Sequence, residues 1–197
     1  MKPYSLLLMI PAALLMLLVL GPSVGHAEAD AEAKDAEAPE AYVGKLPDND
    51  KLEVLAEHKV IATFKEHKFR RCMGLTGLCP EKCGSSGLFA NFEITDYLHY
   101  KKEGKYGDEK QKAYMVQTTD FEREPKGDPA LLAYIETLEK GDLVVIEWKH
   151  LYGEVTPGAS SPVRPLLLLK KIDKDEAKAL KEQAEAAKKD GEKADEG

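Results

Sequence analysis

Apolar positions follow three different rules along this chain: a continuous run near the N-terminus, an alternating pattern through the middle, and almost nothing at the C-terminal end. The middle region carries the fold. Val54 to about Phe69 is a long β-prone stretch containing Val60-Ile61-Ala62-Thr63-Phe64 and predicts a first strand. Leu88, Ala90, Phe92, Ile94 and Leu98 then fall on one face, with Phe89, Asn91, Glu93, Thr95, Tyr97 and His99 on the other, which predicts a half-buried second strand. A third strand, Ala113 to Thr119, follows the Gly-containing connection KKEGKYGDEKQ, which reads as a hairpin loop.

The period then changes from two to that of a helix. Asp128 suits an N-cap, Pro129 the first helical position, and Leu131, Leu132, Ile135 and Leu138 form an apolar stripe that Lys140 and Gly141 end. Beyond it, Leu143 to Leu151 alternates again with Val144, Ile146 and Trp148 on one side, and Arg164 to Ile172 contains the buried-looking run Pro165-Leu166-Leu167-Leu168-Leu169. The predicted order is three strands, one helix, two strands.

The two ends read differently. Leu6 to Leu20 is apolar apart from Pro11, follows Lys2, and precedes Gly21-Pro22 and the small-residue stretch up to Ala27. That is the pattern of a cleavable export signal over residues 1–27; the run is short for a membrane span of about 20 residues. It implies an exported protein, periplasmic or secreted, with no membrane insertion after cleavage. Residues 28–50 begin with EADAEAKDAEAP, which has no apolar face, and read as a disordered acidic Ala-rich linker. Residues 173–197 contain good helix formers, but Leu180 is their only large apolar residue, so a loose charged helix or disordered tail is expected.

The formal charge of the chain is -7. By segment it divides into -5 over residues 1–50, +1 over 51–172 and -3 over 173–197, so the acidity belongs to the ends. A middle domain so nearly neutral lacks the basic footprint of a nucleic-acid binder, despite Phe89, Tyr97 and Tyr114 as stacking candidates. No serine elbow, no H-E-x-x-H and no convincing carboxylate pair is present, which turns the reading away from conventional hydrolysis.

Three strands, a helix and two more strands resemble the OB-fold, a five-stranded partly open barrel in which a helix sits between strands three and four. The resemblance covers about 54–172 and implies a mainly β domain over 51–172 with flexible charged termini. The segments CMGLTGLCPEKCGSSG and YGDEKQ also resemble a family of exported bacterial proteins with no established activity, so that likeness implies no function.

The chemistry concentrates in Cys72–Gly87, which holds all three cysteines, Cys72, Cys79 and Cys83. In an OB-type barrel this is the loop joining strands one and two, and it would flank the same face as the loop joining strands four and five, Gly153 to Pro165, with Ser160, Ser161 and Arg164. Three readings are open. An oxidising compartment favours one disulfide with a thiol left over. Three thiolates with an imidazole, His67 or His150, would hold zinc or, at lower coordination, cuprous copper, although C-x6-C and C-x3-C are not common zinc spacings. Thiol chemistry is the third, with Lys82, Arg70 and Arg71 lowering a neighbouring thiol. The leading expectation is a small exported binding module presenting the cysteine loop and the Gly153–Pro165 loop to an unidentified ligand or protein partner. A metal-handling or thiol-redox protein on the same cysteines is the alternative.

Overall fold

The longest β-prone run forms the longest strand, and the other elements are arranged around it. The computed structural model describes residues 39–74, 77–79 and 81–194. Its strands are β1 (Ala41–Val43), β2 (Leu52–Arg70), β3 (Gly87–Lys102), β4 (Ala113–Gln117), β5 (Leu143–Thr156), β6 (Ala159–Val163) and β7 (Leu166–Ile172). Helix α1 (Pro129–Glu136) lies between β4 and β5, and α2 (Lys174–Ala194) follows β7. All seven strands belong to one antiparallel sheet in the order β1-β7-β5-β2-β3-β4, with β6 paired to β5. The expected export segment over 1–27, and the linker as far as residue 38, lie outside the described residues. Among the described residues no helix is long and apolar enough to cross a membrane.

The mainly β architecture and the helix after the third long strand agree with the sequence pattern; the count of five strands does not. Two short strands were missed. β1 sits inside the stretch expected to be disordered linker and pairs with Leu168–Lys170 of β7, while β6 occupies the expected Gly153–Pro165 loop. Strands of three and five residues, one containing Pro162, are too short to show alternation. Strand pairing follows an open path ending at β1 and β4, so no ladder closes the sheet into a barrel.

Register explains a second departure. Against β2, Val60 pairs with Tyr97 and Ile61 with Asp96, but Lys59 pairs with His99 and Ala62 with Ile94, leaving Leu98 and Thr95 as extra residues on β3. Each bulge reverses the alternation that follows it. Ile94 and Tyr97 therefore share a face, and Leu98 moves to the other, the reverse of the simple period-two reading.

The two faces bury two cores. Val60, Ala62, Phe64, Ala90, Phe92, Val144, Ile146, Trp148 and Leu169 pack with Leu131, Tyr134 and Ile135 of α1 and with Leu138 just after it. Asp128 caps α1 by accepting from the Ala130 amide at 2.9 Å. On the other face Ile61, Val145 and Ile172 meet Ala177 and Leu180 of α2. The C-terminal segment is thus held rather than loose over its first turns. Asp173 caps it by accepting from the Glu176 amide at 2.7 Å, and Lys181 reaches Asp96 at 2.6 Å.

One polar side chain is enclosed in the first core. His58 is 1 % exposed and stacks on Trp148, ring centroids 4.4 Å apart and 6° from parallel, beside Tyr97 and Tyr100. Neither of its nitrogens has a hydrogen-bond partner among the described residues. A protonated ring there would be a buried cation without an acceptor, so burial pushes its pKa below the ordinary value of 6.5, and only Asp108 pulls the other way. Burial lowers His150 likewise. As pH falls, the unfolded chain takes up these protons before the folded one does, so their contribution to stability is full above about pH 6.5 and is lost below it. The denaturant midpoint should therefore fall between pH 7.5 and 5.5, with a slope of up to ~1.4 kcal/mol per pH unit for each proton taken up on unfolding. His58→Phe, which keeps the stacking, should flatten that dependence. An unchanged wild-type midpoint across this window would contradict the assignment.

Candidate metal centre

The described residues of the connection from β2 to β3, 71–74, 77–79 and 81–86, contribute nothing apolar to either core; Met73 and Leu78 are exposed. Its order comes from hydrogen bonds to its neighbours. The Cys72 amide donates to Ser86 Oγ at 2.9 Å and the Lys82 amide to the Leu78 carbonyl at 2.7 Å. From the end of β4, Gln117 Nε2 donates to the Ser86 carbonyl at 2.8 Å, and from beyond it Lys126 Nζ donates to the Gly84 carbonyl at 2.9 Å and to Gln117 Oε1 at 3.1 Å. The loop then enters β3 through Gly87, at φ +147°, where a Cβ would stand 2.0 Å from the Thr119 carbonyl oxygen. Only glycine fits there.

This frame brings the three sulfurs together. Cys72 Sγ lies 3.4 Å from Cys79 Sγ, and the sulfurs of Cys72, Cys79 and Cys83 all lie within 4.8 Å of one another. A disulfide requires about 2.05 Å, so no pair is bonded and all three are thiols. Three thiolates on one ion at about 2.3 Å would stand about 4 Å apart, inside the observed spread. Gly74 closes over the pair: a Cβ on it would be 2.9 Å from Cys79 Sγ and 3.4 Å from Cys72 Sγ.

The sulfurs are not equivalent. Cys83 is held down to about 7, first by the hydrogen bond from the Ser85 amide and then, against some desolvation, by the thiols of Cys72 and Cys79 and the Ser86 hydroxyl. Cys72 is pushed up. The Gly74 amide is its largest single influence and favours the thiolate, but the contacts with Cys79 and Cys83 together with burial outweigh it. The arrangement is one thiolate near neutral pH accepting from two neighbouring thiols.

The remaining candidates are dispersed. Neither imidazole joins the sulfurs: among the described residues this metal-capable group consists of the three cysteines alone. His67 lies edge-on to Phe64, centroids 5.3 Å apart, on the strand before the loop. His150 is at the other end of the fold, where its Nδ1 accepts from the Asp108 amide at 3.2 Å and its Nε2 is 3.4 Å from Arg164 Nη2. Arg164 in turn grips Asp108 with two hydrogen bonds, 2.6 and 2.9 Å. Arg70 lies over Phe89 and donates to Met115 Sδ, and Arg71 lies over Phe121. Lys82 is exposed in the cysteine loop, and Ser160 and Ser161 are exposed on β6.

The two loops expected to flank one face are separated by the length of β2. Arg70 pairs with Gly87 at its C-terminal end, and Leu52 pairs with Gly153 at its N-terminal end. Sequence reasoning also passed over Gln117, Lys126 and Ser86, which hold the cysteine loop, and read Asp108 as a turn residue. Single polar residues far apart in sequence carry no pattern that reveals such roles. No known protein family, curated protein or solved structure matches the chain.

With the protein reduced, the alkylation rate of Cys83 should follow a titration centred near pH 7. Peptide mapping of iodoacetamide-labelled protein against pH reads this directly. Gly74→Ala forces the sulfurs to move and should shift that midpoint, while Gly87→Ala should lower stability by ~2 kcal/mol or more through strain and collision with the Thr119 carbonyl. A Cys83 profile centred above pH 8.5 would refute the thiolate assignment.

Proposed function

We propose that the protein handles a thiophilic metal ion, cuprous copper before zinc, on Cys72, Cys79 and Cys83. The observation that carries this reading is the convergence of three thiols within 4.8 Å on a loop whose described residues are held by hydrogen bonds and lend nothing apolar to either core. Copper is preferred because soft thiolates suit Cu(I) and three suffice for it, whereas structural zinc takes four ligands. No histidine, aspartate, glutamate or further cysteine among the described residues completes a fourth position. A thiolate near neutral pH lowers the proton cost of binding. Cation-rich surroundings, with Arg70, Arg71 and Lys82 in or beside the loop and Lys126 bonded to it, offset the two negative charges left when three thiolates hold one monovalent ion.

The export reading of residues 1–27 places this activity outside the cytoplasm, and the bent sheet with α1 after β4 supports an OB-like scaffold. A second reading is favoured by the 3.4 Å contact itself: Cys72 and Cys79 are poised to close a disulfide, with Cys83 as the leftover thiolate.

Titration of reduced protein with Cu(I) against a competing copper chelator should give one ion per chain. Cys72→Ser, Cys79→Ser and Cys83→Ser should each weaken binding by about 100-fold or more, since loss even of an outer partner costs 10- to 100-fold. Thiol counting on unreduced protein separates the readings. Three thiols that react only after chelation support the metal site, and one reactive thiol supports the disulfide. Three freely reactive thiols together with no Cu(I) uptake would remove both.

A further inference from the structure

The end of the fold opposite the cysteines contains a cavity of about 510 Å³, lined by Glu53, Leu55, Tyr106, Asp108, His150, Tyr152, Pro162 and Arg164. That size is ordinary for a small-molecule site. Its wall is a row across three strands, because Glu53 of β2 stands opposite Tyr152 of β5, and Tyr152 opposite Pro162 of β6. Directly opposed residues have Cβ atoms about 5 Å apart, so the carboxylate and the phenol ring of this row are neighbours. The β3–β4 connection supplies the facing side. It is drawn against β2 at Gly107, where a Cβ would strike the Leu55 carbonyl oxygen at 2.2 Å, and this fixes Tyr106 and Asp108 at the rim.

The charges in the cavity are unevenly committed. Arg164 Nε and Nη2 bond both oxygens of Asp108, and that guanidinium also keeps the Asp108 carboxyl below the usual carboxylate range, so the two charges cancel locally. His150 is buried and held below its ordinary pKa, hence neutral at pH 7. Glu53, by contrast, is exposed and has neither ion pair nor hydrogen bond to its side chain among the described residues. Tyr106 is 77 % and Tyr152 45 % exposed, and among the described residues neither ring packs on another ring or bonds through its hydroxyl. The cavity therefore offers one uncompensated negative charge and two uncovered aromatic rings.

We propose that this cavity binds an organic ammonium ion, with Tyr106 and Tyr152 as its aromatic walls and Glu53 as its counter-charge. An ammonium over a phenol ring is attracted by the ring's quadrupole, and its alkyl groups shed water against the same surface. An anionic ligand would meet Glu53 and find the only guanidinium already occupied by Asp108. The shared chemistry is a substituted ammonium, whether on a free small amine or on a lysine side chain of a polypeptide. This site is independent of the metal proposal, lying at the other end of β2 from the sulfurs.

The test is calorimetric titration of the full chain with choline and benzyltrimethylammonium, with 3,3-dimethylbutan-1-ol as choline's uncharged isostere. A short lysine peptide and its acetyl-lysine counterpart form the second arm. The expected result is saturable binding of at least one ammonium probe, with its uncharged counterpart weaker by about tenfold or more. Which arm binds tells a free amine from a lysine side chain. Glu53→Gln, Tyr106→Leu and Tyr152→Leu should each weaken binding by about fivefold or more, while Cys83→Ser should leave it unchanged. These three positions are exposed, and unaltered denaturant midpoints verify that the variants fold. Absence of binding in both arms, equal binding of the uncharged isosteres, or indifference to all three substitutions would overturn the proposal.

Discussion

Everything in this fold depends on the two-sided pairing of β2. It is hydrogen-bonded to β3 from Ala56 to Arg70 and to β5 from Leu52 to Thr63, so the strand pairing of the described residues joins β3 and β4 to β5 and β7 through it. A strand of 19 residues with both edges satisfied has to twist and bend, and the unpaired residues at Lys65, Thr95 and Leu98 take up that curvature. Plain alternation along β2 delivers Val60, Ala62 and Phe64 to one core and Ile61 to the other, while the extra residues on β3 send Ile94 and Tyr97 to the first core and Leu98 to the second. The second core explains how α2 holds on with so little apolar surface. A small residue, Ala177, allows the helix to approach closely, and Leu180 completes the contact.

The same bending makes a place for the polar groups that the first core tolerates. His58 is accommodated because its ring is neutral and flat against Trp148, which replaces lost hydration with dispersion and ring contacts rather than with hydrogen bonds. Leaving two ring nitrogens and the Trp148 indole N–H without partners among the described residues costs on the order of 1–3 kcal/mol per group. The charged groups near it, Asp108 and Arg164, avoid that cost by pairing at the edge where water reaches them. Depth decides which polar groups stay neutral and which stay charged.

What could be read from the sequence follows from how local each signal is. Asp128-Pro129 and the following apolar stripe specify α1 within a few residues, and that helix forms with the expected cap. The alternation of Ala90, Phe92 and Ile94 reads correctly because the irregularity opposite them places its extra residue, Lys65, on β2 and leaves β3 unbroken; beyond Thr95 it fails for Tyr97 and Leu98, since a bulge is a property of two strands and not of one. β1 escaped notice because three residues show no period, and α2's packing because Ala177 does not register as a core residue in a charged segment. At the candidate site, the cysteines were visible through their spacing, and their convergence was one of the outcomes that spacing permits. The imidazoles of His67 and His150 were assigned by nearness along the chain and by strand ends, and folding carries both away from the sulfurs. Asp108 belonged to a sequence that looked like a turn, and its ion pair spans 56 residues.

The two candidate sites differ in what holds them in shape, and that difference bears on how each would bind. The cavity walls are strand residues in fixed register, with the rim drawn against β2 at Gly107 and the Asp108–Arg164 pair bracing it, so its shape exists before any ligand arrives. The described residues of the cysteine loop bring nothing apolar to a core and are supported by hydrogen bonds involving Ser86, Gln117 and Lys126. A metal bound there would supply the cross-link that the loop's composition does not, so part of its binding energy would go into ordering the loop and would appear as added protein stability. Binding at the cavity would instead leave the fold nearly as it is. Ser86, three residues beyond Cys83, ties both ends of the cysteine loop together, since its hydroxyl accepts from the Cys72 amide and its carbonyl from Gln117, so a metal held by the three sulfurs would tighten a connection that this one residue already begins.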